Sequence, residues 1–124
     1  MSTVLQIYEA IDRLAPFFLS MDFDNTGILV GDRQKKVERA LLALDCTKEV
    51  LRQAKELGAQ LIITHHPIIF HPIKRVNEDS LVYHLLRSDI AVISAHTNLD
   101  IAQGGVNDLL AKRIGLSDCR GLQP

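Results

Sequence analysis

The segment "LIITHHPIIF", residues 61–70, sets two adjacent histidines between two apolar runs. Residues 61–63 are aliphatic or β-branched in a short continuous run, which is typical of a strand buried on both faces. Neighbouring side chains of a strand point to opposite faces, so His65 and His66 can act together only beyond its end. Pro67 ends regular strand pairing just after them. We therefore predict an interior strand whose carboxyl end carries two imidazoles.

Strands and helices alternate along the rest of the chain. Apolar residues at helical spacing predict a helix from Val4 to Leu14, with Thr3 and Gln6 as a capping box and Pro16 closing it. Strands are predicted at residues 39–45, 60–64 and 90–95, and further helices at residues 48–57, 80–89 and 104–116. Such alternation favours an α/β fold with a parallel sheet built from right-handed crossovers.

Polar side chains of the kind that bind metals follow three of these strands. Asp45 ends one strand, His65 and His66 follow the next, and His96 and Asp100 follow the third. In parallel sheets, ligands bind beyond the carboxyl ends of the strands. We therefore expect these side chains to meet at one edge of the sheet.

Imidazoles together with a carboxylate suit zinc, iron or manganese. Adjacent histidines can each bind one of two neighbouring ions, roughly 3.5–4 Å apart, as in two-metal hydrolytic sites. In this interpretation His65 and His66 bind different ions and Asp100 adds a charged ligand, while His96 or Asp45 supports the ligands or carries a proton. The alternative is that the histidines are structural, hydrogen-bonded residues and that Asp45 only steadies the turn into the next helix.

Two turn-forming motifs lie outside this set. "DNTG" contains Asn25 and Gly27, which fit a turn that reaches the site. "GGVND" begins with Gly104 and Gly105, at the start of a helix whose N-terminus can hold an anion. Turn chemistry alone explains the first motif, and helix capping with a tight entry is the favoured explanation of the second, so neither motif by itself supports a functional claim.

Length and composition exclude several classes of protein. The 124 residues provide one domain, and a net charge of −1 offers no basic surface for nucleic acid or an anionic membrane. The first residues alternate apolar and charged side chains, unlike a secretory signal, and no apolar run approaches the roughly 18–20 residues of a membrane span. Cys46 and Cys119 are far apart and lack metal-type spacing, which predicts a reduced, cytoplasmic protein.

Four motifs carry a family resemblance: "FDNTGILVG", "IITHHPIIF", "AHTNLD" and "GGVNDLLA". In order and spacing they resemble the Nif-three-like dinuclear-metal proteins, also called GTP cyclohydrolase I type 2 homologues, from about Ile7 to Leu116. The resemblance implies a three-layer α/β fold, with a mainly parallel sheet flanked by helices, two divalent metal ions at the strand ends and often a homohexamer. By motif position His65, His66 and Asp100 match the metal ligands. Asn25 and His96 match residues near the metals.

The chain departs from this family after Asp100. Members have a second lobe whose late His and Glu complete the metal pair, whereas residues 101–124 contain neither residue type. The resemblance thus implies that residues 1–124 form a single α/β domain equivalent to the N-terminal lobe, with the C-terminal lobe absent. Water, His96 or a neighbouring subunit would then complete the site. Faces meant for the second lobe would be exposed, which favours self-association.

Together these features predict a metal-dependent hydrolase, in which metal-activated water attacks a carbon or phosphorus of a small-molecule substrate. His96 would be its acid or base. The sequence does not identify the substrate, and no purine pocket can be read from it. The rival hypothesis is a non-catalytic oligomeric scaffold or binding protein whose metal site is incomplete or structural.

Overall fold

The computed structural model describes residues 1–121. Residues 122–124, which the predicted domain includes, lie outside the described residues. The strands are β1 (Ser2–Thr3), β2 (Gly27–Val30), β3 (Lys36–Val37), β4 (Ala40–Ala43), β5 (Leu61–Thr64) and β6 (Ala91–Ser94). The helices are α1 (Val4–Leu14), α2 (Lys48–Glu56), α3 (Leu81–Arg87), α4 (Thr97–Ile101) and α5 (Val106–Arg113), and a 3-10 turn covers Phe17–Leu19.

Four strands form the main sheet, in the order β2-β6-β5-β4. Strands β4, β5 and β6 are parallel, as predicted, with Leu61 opposite both Ala40 and Ala91. Strand β2 pairs with β6 in the antiparallel direction, so the sheet is mixed. The short strands β1 and β3 form a separate antiparallel pair.

Helices pack against both faces of the main sheet. On one face Ile62 lies in a hydrophobic cluster with Leu51 of α2 and Leu85 of α3. On the other face Leu61 lies in a cluster with Val4 of α1. Adjacent residues of a strand serve opposite faces, which explains why the run at 61–63 is continuously apolar. Each such fully buried side chain contributes about 1.5–3 kcal/mol.

The first two predicted helices are confirmed, and both begin at a side-chain cap. In α1 the Gln6 amide donates to Thr3 Oγ1 at 3.2 Å, and the Thr3 amide donates to Gln6 Oε1 at 2.9 Å, which completes the capping box. In α2 the Val50 amide donates to Thr47 Oγ1 at 3.1 Å. Gly58 follows this helix with φ of +62°, a conformation that glycine adopts without strain.

The later helices differ from the prediction. Helix α4 was not predicted, and α5 is shorter than residues 104–116. Leu86, an apolar residue of α3, is 53% exposed, because only one side of this seven-residue helix faces the sheet and Leu85 is the residue buried there. Among the described residues, no helix combines the length and apolar character needed to cross a membrane.

Candidate metal centre

The carboxyl ends of β5 and β6 are joined by buried hydroxyl groups. Thr64 and Ser94 are the last residues of the two strands. Their hydroxyl oxygens, Thr64 Oγ1 and Ser94 Oγ, are hydrogen-bonded at 2.7 Å. Thr64 Oγ1 also donates to the carbonyl of His66 at 2.8 Å. These contacts hold the histidine pair at the sheet edge, close to the turn that follows β6.

Three imidazoles cluster at this edge. His65, His66 and His96 each offer one ring nitrogen, and these atoms lie within 4.8 Å of one another. The ring centroids are 5.1 to 5.6 Å apart. The predicted meeting of the ends of β5 and β6 therefore brings His96 against the histidine pair.

Each of these rings directs Nδ1 at an oxygen that only accepts hydrogen bonds. The pairs are His65 with the Ala95 carbonyl at 2.9 Å, His66 with Asp45 Oδ1 at 2.8 Å, and His96 with Asp24 Oδ1 at 3.0 Å. A carbonyl or carboxylate oxygen requires a proton on Nδ1, so in the neutral rings Nε2 carries the free lone pair. Metal-binding histidines usually have this arrangement, with the second nitrogen donating to a carboxylate or backbone carbonyl.

Asp100, the predicted carboxylate ligand, lies next to His65. Its Oδ1 is 3.3 Å from His65 Nε2, and both side chains are partly buried. Because His65 Nδ1 faces a carbonyl, a neutral His65 ring places an unprotonated nitrogen against a carboxylate oxygen. A proton or a cation between the two atoms removes this repulsion. The donor set therefore fits a divalent ion.

Asp45 and Asn25, which were predicted to line the site, make different contacts. Asp45 contacts His66 through the hydrogen bond given above, on an exposed part of the edge. Asn25 donates from Nδ2 to the carbonyl of Ile69 at 2.7 Å and so holds the loop that follows His66. Neither side chain is part of the three-imidazole cluster.

Asp24 belongs to the site and was not predicted. Its carboxylate is fully buried and contacts His96, 72 residues later in the chain. Burial alone raises its pKa, but hydrogen bonds from the Thr97 hydroxyl, the His96 ring and the Thr97 and Asn25 amides outweigh this and lower the pKa to about 2. Asp24 is the first residue of "DNTG", which has the composition of a turn. The one sequence feature that connects Asp24 with the site is its position directly before Asn25.

A cavity of about 310 Å³ opens beside His66 and Asp45. Its wall includes Cys46 and the apolar side chains Ile68, Ile73, Leu81 and Val82. Burial raises the pKa of the Cys46 thiol to about 11. The Cys46 thiol is therefore protonated near neutral pH in the metal-free chain.

The family model for DUF34/NIF3 (NGG1p interacting factor 3) matches residues 2–124. The chain belongs to the DUF34/NIF3 family. A GTP cyclohydrolase 1 type 2 homolog of Clostridium perfringens is 45% identical over 115 residues, which are 90% of this chain and 44% of that protein. One from Halalkalibacterium halodurans is 43% identical, over 98% of this chain and 33% of that protein. The chain thus spans less than half the length of these relatives.

Solved structures of similar proteins share the fold. A Bacillus cereus protein related to NIF3 superposes with a TM-score of 0.92 at 40% identity, covering 100% of this chain and 36% of that one. Reduced HcgD from Methanocaldococcus jannaschii superposes with a TM-score of 0.88 at 35% identity, covering 98% of this chain and 50% of that one. The fold and the family therefore agree with the resemblance found in the motifs.

Proposed function

We propose that this DUF34/NIF3 chain provides one part of a dinuclear metal centre that hydrolyses a small-molecule substrate. His65, His66 and Asp100 would bind two divalent ions, which are zinc, iron or manganese. Water, His96 or a neighbouring subunit would supply further ligands. The names of the relatives contain a cyclohydrolase, which is a hydrolytic activity.

The contact between His65 and Asp100 carries this proposal. With Nδ1 committed to the Ala95 carbonyl, Nε2 of His65 meets Asp100 Oδ1 at 3.3 Å. A structural pair needs a hydrogen between these atoms, which a doubly protonated ring could supply, whereas a neutral ring with Nδ1–H has none to offer on Nε2. A bound cation satisfies both atoms at once.

The chain's own residues have distinct parts in such a centre. Bound divalent ions supply a Lewis acid and a nucleophile derived from water near neutral pH. His96 Nδ1 faces Asp24, and the ring lies 5.1 and 5.6 Å from the rings of His65 and His66, so its other nitrogen can accept or return a proton at the cluster, or add a ligand. Asp45 orients the His66 ring, and Asn25 holds the loop that follows it.

We further propose that the chain is a single three-layer α/β domain, equivalent to the N-terminal lobe of the family, that it acts in the cytoplasm and that it self-associates. The two hydrophobic clusters on opposite faces of the sheet support the layered arrangement. Exposed apolar side chains on α5 support association: Val106, Leu109 and Leu110 are 37–60% exposed, and no residue of this helix is buried.

The same exposed face favours a second candidate function, a non-catalytic oligomeric scaffold whose metals are structural. The two functions differ in what Asp100→Ala does. If the centre is catalytic, this variant abolishes metal-dependent hydrolysis of any substrate found in a screen of phosphate esters and cyclic amides. If the chain is a scaffold, the variant assembles normally and no hydrolysis is lost.

The first experiment measures bound metal per chain by elemental analysis, on protein purified without added metal or chelator. The wild-type chain is compared with His65→Ala/His66→Ala and with the control His71→Ala/His84→Ala, which removes two imidazoles outside the cluster. We expect metal in the wild type and the control and its loss from the first variant. Equal metal in all three proteins, or none in any of them, would contradict the proposal.

A further inference from the structure

We infer that Asp24 is a positioning residue of the metal centre, which holds the His96 ring with Nδ1–H on its carboxylate and the unprotonated Nε2 turned toward His65 and His66. This inference rests on the proposed function only for its effect on metal binding. The orientation of the ring can be tested without any metal.

All four acceptor positions of the Asp24 carboxylate are used. Oδ1 accepts from the Asn25 amide at 2.8 Å and faces His96 Nδ1 at 3.0 Å. Oδ2 accepts from the Thr97 amide at 3.1 Å and from the Thr97 hydroxyl at 2.6 Å. An ionised carboxylate only accepts, so the His96 nitrogen that faces it is the one that carries the proton.

The carboxylate cannot rotate away from this position. Thr97 Oγ1 donates to Asp24 and in turn accepts from the Met21 amide at 2.9 Å. This relay connects the loop before β2 to the first residue of α4, directly after His96. The ring is therefore held from two sides, by its own backbone at the start of α4 and by Asp24 at Nδ1.

An amide in place of the carboxylate does not reproduce this arrangement. In the Asp24→Asn variant, the side-chain NH₂ group would face either the two Thr97 donors or the Asn25 amide and His96. In the second case His96 Nδ1 must accept, and the proton moves to Nε2, the atom that faces the cluster. In the first case the Thr97 amide loses its acceptor.

The test begins with the metal-free 124-residue wild-type chain. Nitrogen-15 NMR of the histidine rings at about pH 8.5, well above the ordinary histidine pKa, distinguishes the two neutral tautomers, because protonated and unprotonated ring nitrogens have different chemical shifts. We expect His96 to be protonated at Nδ1 alone. A His96 ring protonated at Nε2, or at both nitrogens, would overturn the inference even if Asp24 variants fail to fold.

The second measurement compares zinc affinity in Asp24→Asn and in the control Thr97→Val by competition with a chromophoric chelator. Both variants lose hydrogen bonds of the same network, but Thr97→Val leaves the contact between Asp24 and His96 in place. We expect Asp24→Asn to bind zinc about 10–100-fold more weakly, as is usual when a residue behind a metal ligand is changed. Thr97→Val keeps the carboxylate and loses only the hydroxyl that donates to it, so it should lose less zinc affinity than Asp24→Asn. Equal affinity in Asp24→Asn and the wild type, or equal losses in both variants, would contradict the inference.

A wild-type chain that binds no zinc separates the two proposals. If His96 then still has the Nδ1–H tautomer and Asp24→Asn changes it, the positioning role of Asp24 is supported and the proposed metal function fails. If zinc binds but His96 is protonated at Nε2, the metal function stands and the positioning role is wrong.

Discussion

Replacing Asn98 with leucine removes the polar link between the end of α1 and the start of α4. The Asn98 side chain is fully buried. Its Nδ2 donates to the Ala15 carbonyl at 2.7 Å, and its Oδ1 accepts from the His96 amide at 3.0 Å. Leucine has the same number of side-chain heavy atoms in the same branched arrangement, so the variant removes both hydrogen bonds, and its bulkier methyl groups can only add to the loss.

The expected loss follows from the two backbone groups that remain. The Ala15 carbonyl and the His96 amide each lose a buried partner, and each unsatisfied group costs about 1–3 kcal/mol. The free energy of unfolding should therefore fall by about 2–6 kcal/mol, out of the roughly 5–15 kcal/mol typical of a domain. At about 2–8 °C per kcal/mol, the melting temperature should fall by at least about 4 °C.

Urea unfolding of the metal-free chain, followed by circular dichroism, measures this loss. The midpoint should fall with an unchanged m-value. Asn107→Leu is the control, because Asn107 is exposed on α5 and its replacement should change stability by no more than about 0.5 kcal/mol. An Asn98→Leu midpoint equal to that of the control would refute the reasoning.

Three further predictions concern acid stability, thiol reactivity and glycine geometry. The pKa of Asp24 is about 2 when folded, below its ordinary value, so its contribution of about 2 kcal/mol is complete above about pH 4 and is lost as the pH falls toward 2. Urea midpoints from about pH 5 to 2 should therefore fall more steeply for the wild type than for Asp24→Asn, and parallel curves would contradict this. Burial raises the pKa of Cys46 to about 11, so iodoacetamide at about pH 8 should modify the exposed Cys119 first, as read by peptide mass spectrometry; faster modification of Cys46 would show that it is not shielded. In Gly105→Ala the added Cβ clashes with the carbonyl oxygen of Leu99 and lies 2.7 Å from the carbonyl oxygen of Ala102. In Gly104→Ala the added Cβ meets nothing within 4 Å, and the only cost is the strain of a residue with φ of +72°, about 1–2 kcal/mol. Thermal melts should show the larger loss in Gly105→Ala, and equal losses would refute the steric argument.

The parallel part of the sheet and its polar edge could be predicted because local patterns specify them. Continuous apolar runs mark strands buried on both faces, and the caps at Thr3 and Thr47 mark where helices begin. Once the strands are parallel, their carboxyl ends must meet. The proximity of His65, His66 and His96 follows from topology without knowledge of any contact.

The antiparallel strand β2 and the helix α4 could not be predicted from such patterns. The four residues 27–30 do not indicate whether their strand runs parallel or antiparallel to its neighbour, because that direction depends on the path of the preceding loop. Helix α4 has five residues, too few for a helical period and below the length at which helices are stable alone. It is held instead by the contacts of Thr97 and Asn98 with distant parts of the chain.

Asp24 and Asn98 could not be recognised from the sequence, because their partners are far away along the chain. Their partners lie 72 and 83 residues away in the chain. Each residue type has an ordinary local explanation, a turn for Asp24 and a helix start for Asn98. Only the folded chain reveals that both hold the segment carrying His96.

The three imidazoles receive their orientation from three separate parts of the chain. The acceptors are the Ala95 carbonyl after β6, Asp45 after β4 and Asp24 before β2, and all lie within residues 24–95. The free Nε2 atoms are thus arranged when residues 24–95 fold, before any ion or further ligand arrives. Binding then requires less ordering of side chains, which favours affinity. It follows that changing Asp24 or Asp45 should weaken metal binding although neither residue is assigned as a ligand, and that ligands from elsewhere would add to a donor set already in place.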